Sequence, residues 1–391
     1  MDPGCIDQDE SRVKEIAMSV NLSRQQGAMA ITAALWLVFF LGITALAFDV
    51  GHLFIVRNEL QNAADAAALS GANCLNKTSA GSDCTATPST TVNWAMASTK
   101  ASNSIALNKS DGTSLISGTV QTGYWNVNGG TALQPTSLSP LGACTVVAGM
   151  MTSTCHKPAV MVTLRRAPGI NGGAVGTLIA SMFGGGAVPV SSSAVAVLSS
   201  PGSVLPGSLV PVAINKCMYE LYWDALSNSP KIATTTMLNG VPQVIGQPWQ
   251  IRIGSSYHYP NCESGQWTSF ALDKNDVPTV NDLINNGNPT PLKIGDPTWI
   301  EPGTKAAVYD TLDARYPTPP GADVTVLVVN NPVGWSTNTQ TPIVAFAGFR
   351  IDDVNKQDKY VEGHFIKGST SSGASGIGPY YGTYTPPRLA Q

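Results

Sequence analysis

Twenty-one consecutive residues, Ala28 to Phe48, carry no charge. At 1.5 Å per residue, a helix of that length crosses the about 30 Å hydrocarbon core of a bilayer. A secretory leader is the rival reading. Leader cores run about 7–15 residues and end at a small-x-small cleavage site, whereas this run ends Ala47-Phe48-Asp49. A retained anchor is expected. Arg12, Lys14 and Arg24 precede the run and only Arg57 closely follows it. That asymmetry sets residues 1–26 as a cytoplasmic tail and the remainder on the far side of the membrane.

The helical pattern continues past the apolar run. Val50, Leu53, Phe54, Leu60, Ala63, Ala64, Ala67, Ala68 and Gly71 recur at helical spacing, with Asp49, Arg57, Glu59, Gln61 and Asp65 opposite them. No proline interrupts, and Gly51 alone costs about 1 kcal/mol. The spacing predicts one transmembrane and stalk helix over residues 27–72. Its small residues let a second backbone approach closely. Two readings follow: a stalk packed on the chain's own domain, or an assembly surface for sister helices made of Asp49, Leu53, Leu60, Ala63, Ala64, Ala67 and Gly71. Asp49 either marks the water boundary or pairs with a basic group of a neighbouring subunit, setting helix register.

Of seven cysteines, Cys5 precedes the apolar run and six follow it. An even number on one side fits an oxidising compartment. Neighbour pairing, one of fifteen connectivities, joins Cys74 to Cys84, Cys144 to Cys155 and Cys217 to Cys262. Free buried thiols are the alternative. The sequence has no CxxC spacing, which argues against zinc.

Charged residues make up 12% of the chain, about half the usual share, and the net charge of −3 offers no basic footprint for nucleic acid. The expected fold class is α+β: a long N-terminal helix, an α+β outer domain over 73–200, and a mainly β outer domain over 201–367. An irregular tail over 368–391 follows. In the first outer domain, Thr91–Leu107 and Gly173–Phe183 read as helices, and Gly123–Val127, Ala159–Leu164 and Val188–Leu198 as strands. Ser199–Ser208 reads as a linker. Beyond it, Leu209–Ile214, Trp249–Ile253, Val324–Val329, Ile343–Ile351 and Lys359–Ile366 read as strands of a sandwich or barrel-like sheet, the last two forming a hairpin.

Three stretches together resemble the N-terminal signature of the TadE/TadG-like proteins of the tight-adherence (Flp) pilus system of bacteria. They are Arg24-Gln25-Gln26-Gly27-Ala28, Phe48-Asp49-Val50-Gly51-His52-Leu53, and Arg57-Asn58-Glu59-Leu60 through Ala63-Ala64-Asp65-Ala66-Ala67-Ala68 to Gly71-Ala72. The resemblance implies a single-pass bacterial inner-membrane protein with periplasmic or extracellular domains. Its implied partners are pilus subunits or secretion-platform proteins, with self-association through the helix. It also implies a processing point at Gly27-Ala28. Prepilin-like proteins carry Glu five residues after the cut glycine; Thr32 stands there instead, which favours an anchored accessory over a polymerising subunit.

The remaining motifs bear on the rival functions. Some larger TadG-like proteins carry a von Willebrand A domain whose metal site begins Asp-x-Ser-x-Ser; Asp224-Ala225-Leu226-Ser227 has the wrong spacing. Neither a G-x-S-x-G elbow nor a P-loop string occurs. Asp352, Asp353, Asn355 and Asp358 miss the EF-hand spacing and read as a solvated hairpin loop. His52 reads as an interfacial structural residue, His364 as an exposed strand residue, and Arg165-Arg166 as a surface pair at a strand end. The expectation is a non-enzymatic, cofactor-free pilus-assembly accessory or minor pilin-like subunit. A surface adhesin and a membrane-tethered envelope hydrolase are the alternatives.

Overall fold

The structure, a computed structural model, describes residues 7–390 except 82, 90, 128, 130, 138–142, 145–152, 155, 225, 226, 228, 255, 260, 261, 304, 331–338 and 377. Side chains of the long helix are described from Met29 onward. The expected Cys144–Cys155 pair lies outside the described side chains.

Helix α1 runs unbroken from Asp7 to Ala72, 66 residues or about 99 Å, so regular helix begins well before the expected start at residue 27. From Met29 it is long and apolar enough to cross a membrane. The chain divides into two compact units. One comprises residues up to Leu60 with Ser110–Thr113 and Arg165–Ser191; the other comprises Gln61–Lys109, Ser114–Leu164 and Ser192–Gln391.

The larger unit begins with the end of α1 and with α2 (Trp94–Ile105). The Asn93 side chain accepts from the Met96 N–H at 3.2 Å, satisfying one of the open donors of the first turn. Met96, Ala97, Ala101 and Ile105 form its buried face. Strands β1 (Thr119–Asn126), β2 (His156–Arg166) and β3 (Val190–Val197) follow. β1 and β2 pair antiparallel.

The C-terminal elements are β4 (Val212–Asn215), α3 (Lys216–Tyr222), β5 (Ile251–Ile253), β6 (Gly265–Phe270), α4 (Val277–Asn286), β7 (Pro297–Glu301), α5 (Ala306–Arg315), β8 (Ala322–Val329), β9 (Thr339–Asn355), β10 (Tyr360–Phe365) and β11 (Arg388–Leu389). Seven of these strands make one sheet in the order β5-β10-β9-β7-β6-β4-β8, and β8 also pairs with β9. The 17-residue β9 makes this closure. Its first residues pair with β7, its middle with β8 and its end with β10. Strands β9, β7, β6, β4 and β8 therefore form a closed ring in which each strand pairs on both sides, while β5 stays at an edge of the sheet. Alternate residues pack on opposite faces, as a period of two requires. Val212, Ile214, Val326 and Val328 join one apolar cluster; Ala213, Leu327 and Val329 join another. Both faces are covered, which explains why these strands read as continuous β-branched runs.

The fold is α+β, with the long apolar N-terminal helix and β-rich C-terminal region expected. Strands β9 and β10 form the expected hairpin. The expected helix at Gly173–Phe183 shrinks to a single 3-10 turn, Ala180–Phe183. Gly172 and Gly173 take φ of +83° and +91°, a left-handed backbone outside the helical range.

Residues 368–391 carry short pairings. Ser369–Thr370 runs parallel to Thr383–Tyr384, and β11 adds to β3 to complete a four-stranded sheet. Tyr381 stacks on Tyr219 at 4.4 Å, and Tyr219 on Phe365 at 3.8 Å. Ser199 and Ser200, at the start of the stretch that reads as a linker, are buried. Their carbonyls accept from the N–H groups of Thr385 and Gly376, both at 2.9 Å.

Candidate functional site

The residues singled out on α1 fall into two environments. Along the apolar run, Leu35, Trp36, Phe39, Phe40, Leu46 and Phe48 are each more than half exposed. Further along, Leu60, Ala63, Ala64, Ala67, Ala68 and Gly71 are buried. A Cβ on Gly71 would lie 2.7 Å from the Ala97 carbonyl oxygen, 2.9 Å from Ala101 Cβ and 3.2 Å from Val160 Cγ1. Helix α2 and strand β2 thus occupy the close approach that these small residues permit. Ser70 and Ser104 hydroxyls meet at 2.7 Å, and Gln61 Nε2 donates to the Ser193 carbonyl at 3.2 Å. From Ala63 to Gly71 the stripe is used inside the chain, as a stalk packed on its own domain, and is not open to a sister helix. Small residues encode how closely something packs, but not what packs there. Leu53 is half-buried.

Asp49 sits at the end of the apolar run and is 5% exposed. Its Oδ1 accepts from the Leu178 N–H at 2.7 Å, and its Oδ2 from Ile179 at 3.0 Å and Ala180 at 2.7 Å. No basic group is needed: three successive backbone N–H groups satisfy the carboxylate. The loop that supplies them is closed at its base, where Val175 and Val188 exchange backbone hydrogen bonds at 2.9 and 2.8 Å.

A second attachment lies one turn further along. His52 Nε2 and Asp111 Oδ1 are 3.1 Å apart, and the Asp111 N–H donates to Glu59 Oε2 at 2.6 Å. Arg166 Nη1 donates to Asp111 Oδ2 at 2.9 Å and to the Ser110 carbonyl at 3.2 Å, while its Nε reaches the Gly173 carbonyl at 3.3 Å. The hydrogen bond with His52, supported by Arg166, holds the Asp111 carboxyl below the usual carboxylate range. Arg166 is 4% exposed, so Arg165-Arg166 is not a surface pair. Consecutive residues of a strand face opposite ways, and only Arg165 faces outward. Gly27 and Ala28 lie inside regular helix.

Cys74 pairs with Cys84, closing the end of α1 onto the hairpin Lys77–Ala80/Asp83–Pro88, and Cys217 pairs with Cys262. His364 is half-buried and its Nδ1 lies 2.5 Å from Asp352 Oδ2, so it is not the exposed residue expected. Arg350 and His364 both engage Asp352, while Asn355 donates to Asp358. This is a hairpin held by local pairs. Among the described residues, no three His, Cys, Asp or Glu gather where a metal ion could sit. Lys157 is 4% exposed, and among the described residues its Nζ meets Ser200 Oγ at 3.3 Å and the Gly378 carbonyl at 3.4 Å. Burial pulls its ammonium down to about 8. It lines a cavity of about 300 Å³ with Trp94, Tyr124, Lys367 and Tyr384.

Residues 27–73 match the family model described as putative Flp pilus-assembly TadE/G-like, and residues 56–196 match the one described as putative Tad-like Flp pilus-assembly. The second match ends within β3, before the seven-stranded sheet begins at Val212. No curated protein and no solved structure matches the chain.

Proposed function

We propose that this chain, TadE/G-like from residue 27 and Tad-like through residue 196, is a membrane-anchored accessory or minor pilin-like protein of a tight-adherence pilus. Its apolar run spans the inner membrane with the N-terminus cytoplasmic. Residues 73–200 and 201–367 are its outer domains, and it works by tethering and packing, without bond chemistry. The observation that carries this reading is the unbroken α1: its apolar run is exposed, and its small-residue end is fused to the outer fold. The Lys/Arg asymmetry and the Cys74–Cys84 and Cys217–Cys262 bonds support an outer, oxidising location. The exposed face of the apolar run, including Leu35 and Phe39, is the surface left for partner helices.

The test is deletion in the native host with plasmid rescue, read by counting pili. Deletion should abolish or sharply reduce piliation, the full chain should restore it, and a photo-crosslinker at Leu35 or Phe39 should capture another component of the pilus machinery. Unchanged piliation after deletion would overturn the proposal.

A further inference from the structure

We propose that the cavity beside Lys157 binds a small organic acid, with its carboxylate on the Lys157 ammonium and its ring against Trp94 and Tyr124. The inference goes beyond the pilus-assembly reading and does not depend on it. Every lining residue belongs to the larger of the two compact units. At about 300 Å³ the cavity falls at the lower end of the range for small-molecule sites. Thr91 and Ser227 on its lining are exposed, which gives it a mouth to solvent.

The lining carries charge of one sign. Lys157 and Lys367 both contribute to it, and no Asp or Glu does. All Asp and Glu beyond residue 28 are among the described residues, and none of them pairs with either lysine. Buried charges are ordinarily paired. Here burial acts on both ammonium groups without a compensating carboxylate, and it lowers Lys157 to about 8. Lys157 therefore keeps its proton at neutral pH. An ammonium has three N–H donors. Lys157 gives two, to Ser200 Oγ and the Gly378 carbonyl, and Lys367 gives one, to the Ser227 carbonyl at 3.1 Å. Donors on both remain for an anion. His156 Nδ1, from the same lining, is buried without a hydrogen-bond partner among the described residues.

The rest of the lining selects the body of the anion. Trp94 and Tyr124 meet edge to face at 5.2 Å, and Tyr380 and Tyr384 stack at 4.4 Å. A hydrated inorganic ion gains nothing from an aromatic wall. A carboxylate carried on a ring uses both the charge and the wall. Helix α2 starts at Trp94, so the positive end of its dipole adds to the field there.

The experiment is equilibrium dialysis of radiolabelled benzoate and glucuronate, and of the neutral benzyl alcohol and glucose, against the full chain in nanodiscs, with empty nanodiscs subtracted. At least one acid should bind once per chain, about tenfold or more tighter than its neutral counterpart. Benzoate alone assigns an aromatic acid, and glucuronate alone a sugar acid. Affinity should fall about tenfold from pH 7 to pH 9 as Lys157 loses its proton. Lys367, also lowered by burial, acts in the same direction, while burial raises Tyr124, Tyr380 and Tyr384 and keeps them neutral. His156 is the remaining titratable group of the lining. Lys157→Met should weaken binding about tenfold or more and flatten the pH profile. Lys367→Met should weaken it less, and Lys293→Met, at an exposed position, should change nothing. Formation of the Cys217–Cys262 bond is the folding control; if Lys157→Met lacks it, Lys367→Met and the wild-type pH profile decide. Binding of neither acid above its neutral counterpart, unchanged binding in Lys157→Met, a flat pH profile, or displacement of the acid by an equal concentration of inorganic phosphate would overturn the inference. None of these results touches the pilus-assembly reading, which the piliation count tests.

Discussion

Between Met29 and Phe48, many side chains of α1 are large and exposed; between Leu60 and Ala72 many are small and covered. Both halves belong to one helix with no break, so the contrast lies wholly in side-chain size and in what surrounds each half. Bulk suits a surface that meets fluid lipid, where shape need not match. Small residues suit a seam against fixed neighbours, where interior packing leaves little slack. Asp49 stands where one regime meets the other, and the chain holds it with a loop from the same unit.

The sharpest way to break this contrast is to put bulk into the seam. Gly71→Leu should cost about 3 kcal/mol, the upper end for overpacking, because the Ala97 backbone carbonyl that blocks a Cβ cannot rotate away. The reverse exchange in the apolar half, Phe40→Leu, should stay within about 0.5 kcal/mol. Denaturant unfolding of the reconstituted protein separates the two, and equal costs would erase the distinction between seam and span. The next largest effect belongs to the border. Asp49→Asn replaces one acceptor oxygen with a donor facing the loop N–H groups. Hydrogen exchange at Leu178–Ala180 should accelerate and proteases should cut within residues 176–188, with little change in global unfolding. Unaltered protection there would mean the loop holds itself.

The smallest effect is pH-dependent and sharpens the border further. The folded-state pKa of Asp111 is depressed. Its contribution is therefore present above the unfolded value of about 3.9 and is lost as pH falls through the folded value. Exchange protection of residues 166–173 should fall on acidification below about pH 4, and Asp111→Asn should flatten that dependence. A profile identical in wild type and variant would assign the anchorage to Arg166 alone.

The apolar half was legible because a helix long and apolar enough to cross a membrane is written as one contiguous uncharged run. The ring strands Val324–Val329 and Ile343–Ile351 were legible because burial on both faces leaves continuous β-branched stretches. Helix α4 was missed although its signals were present. Asp276 caps Thr279 N at 2.8 Å and Gly287 ends the helix at φ +74°, but a ten-residue helix lies among turn-rich segments that mask it. Asp49 was recognised, but its partners were not. They are backbone groups about 130 positions away, and backbone donors leave no residue-type signature. Ring closure entered only as one of two alternatives, a sandwich or a barrel-like sheet, since choosing between them depends on one strand changing partners along its length.

Strand β11 has a consequence in time. The four-stranded sheet contains β1, β2 and β3 from the first half of the chain, yet its edge beside β3 is filled by Arg388 and Leu389, opposite Val197 and Ala196. A ribosome finishes β3 roughly 190 residues, and at typical elongation rates some tens of seconds at most, before β11 exists. During that interval the edge of β3 stands open and able to pair with other chains. Completion of the early sheet therefore reports that the seven-stranded sheet has also been synthesised and delivered. A chain stopped short of β11 would display an open strand edge beside β3 and differ in that one feature from a finished copy.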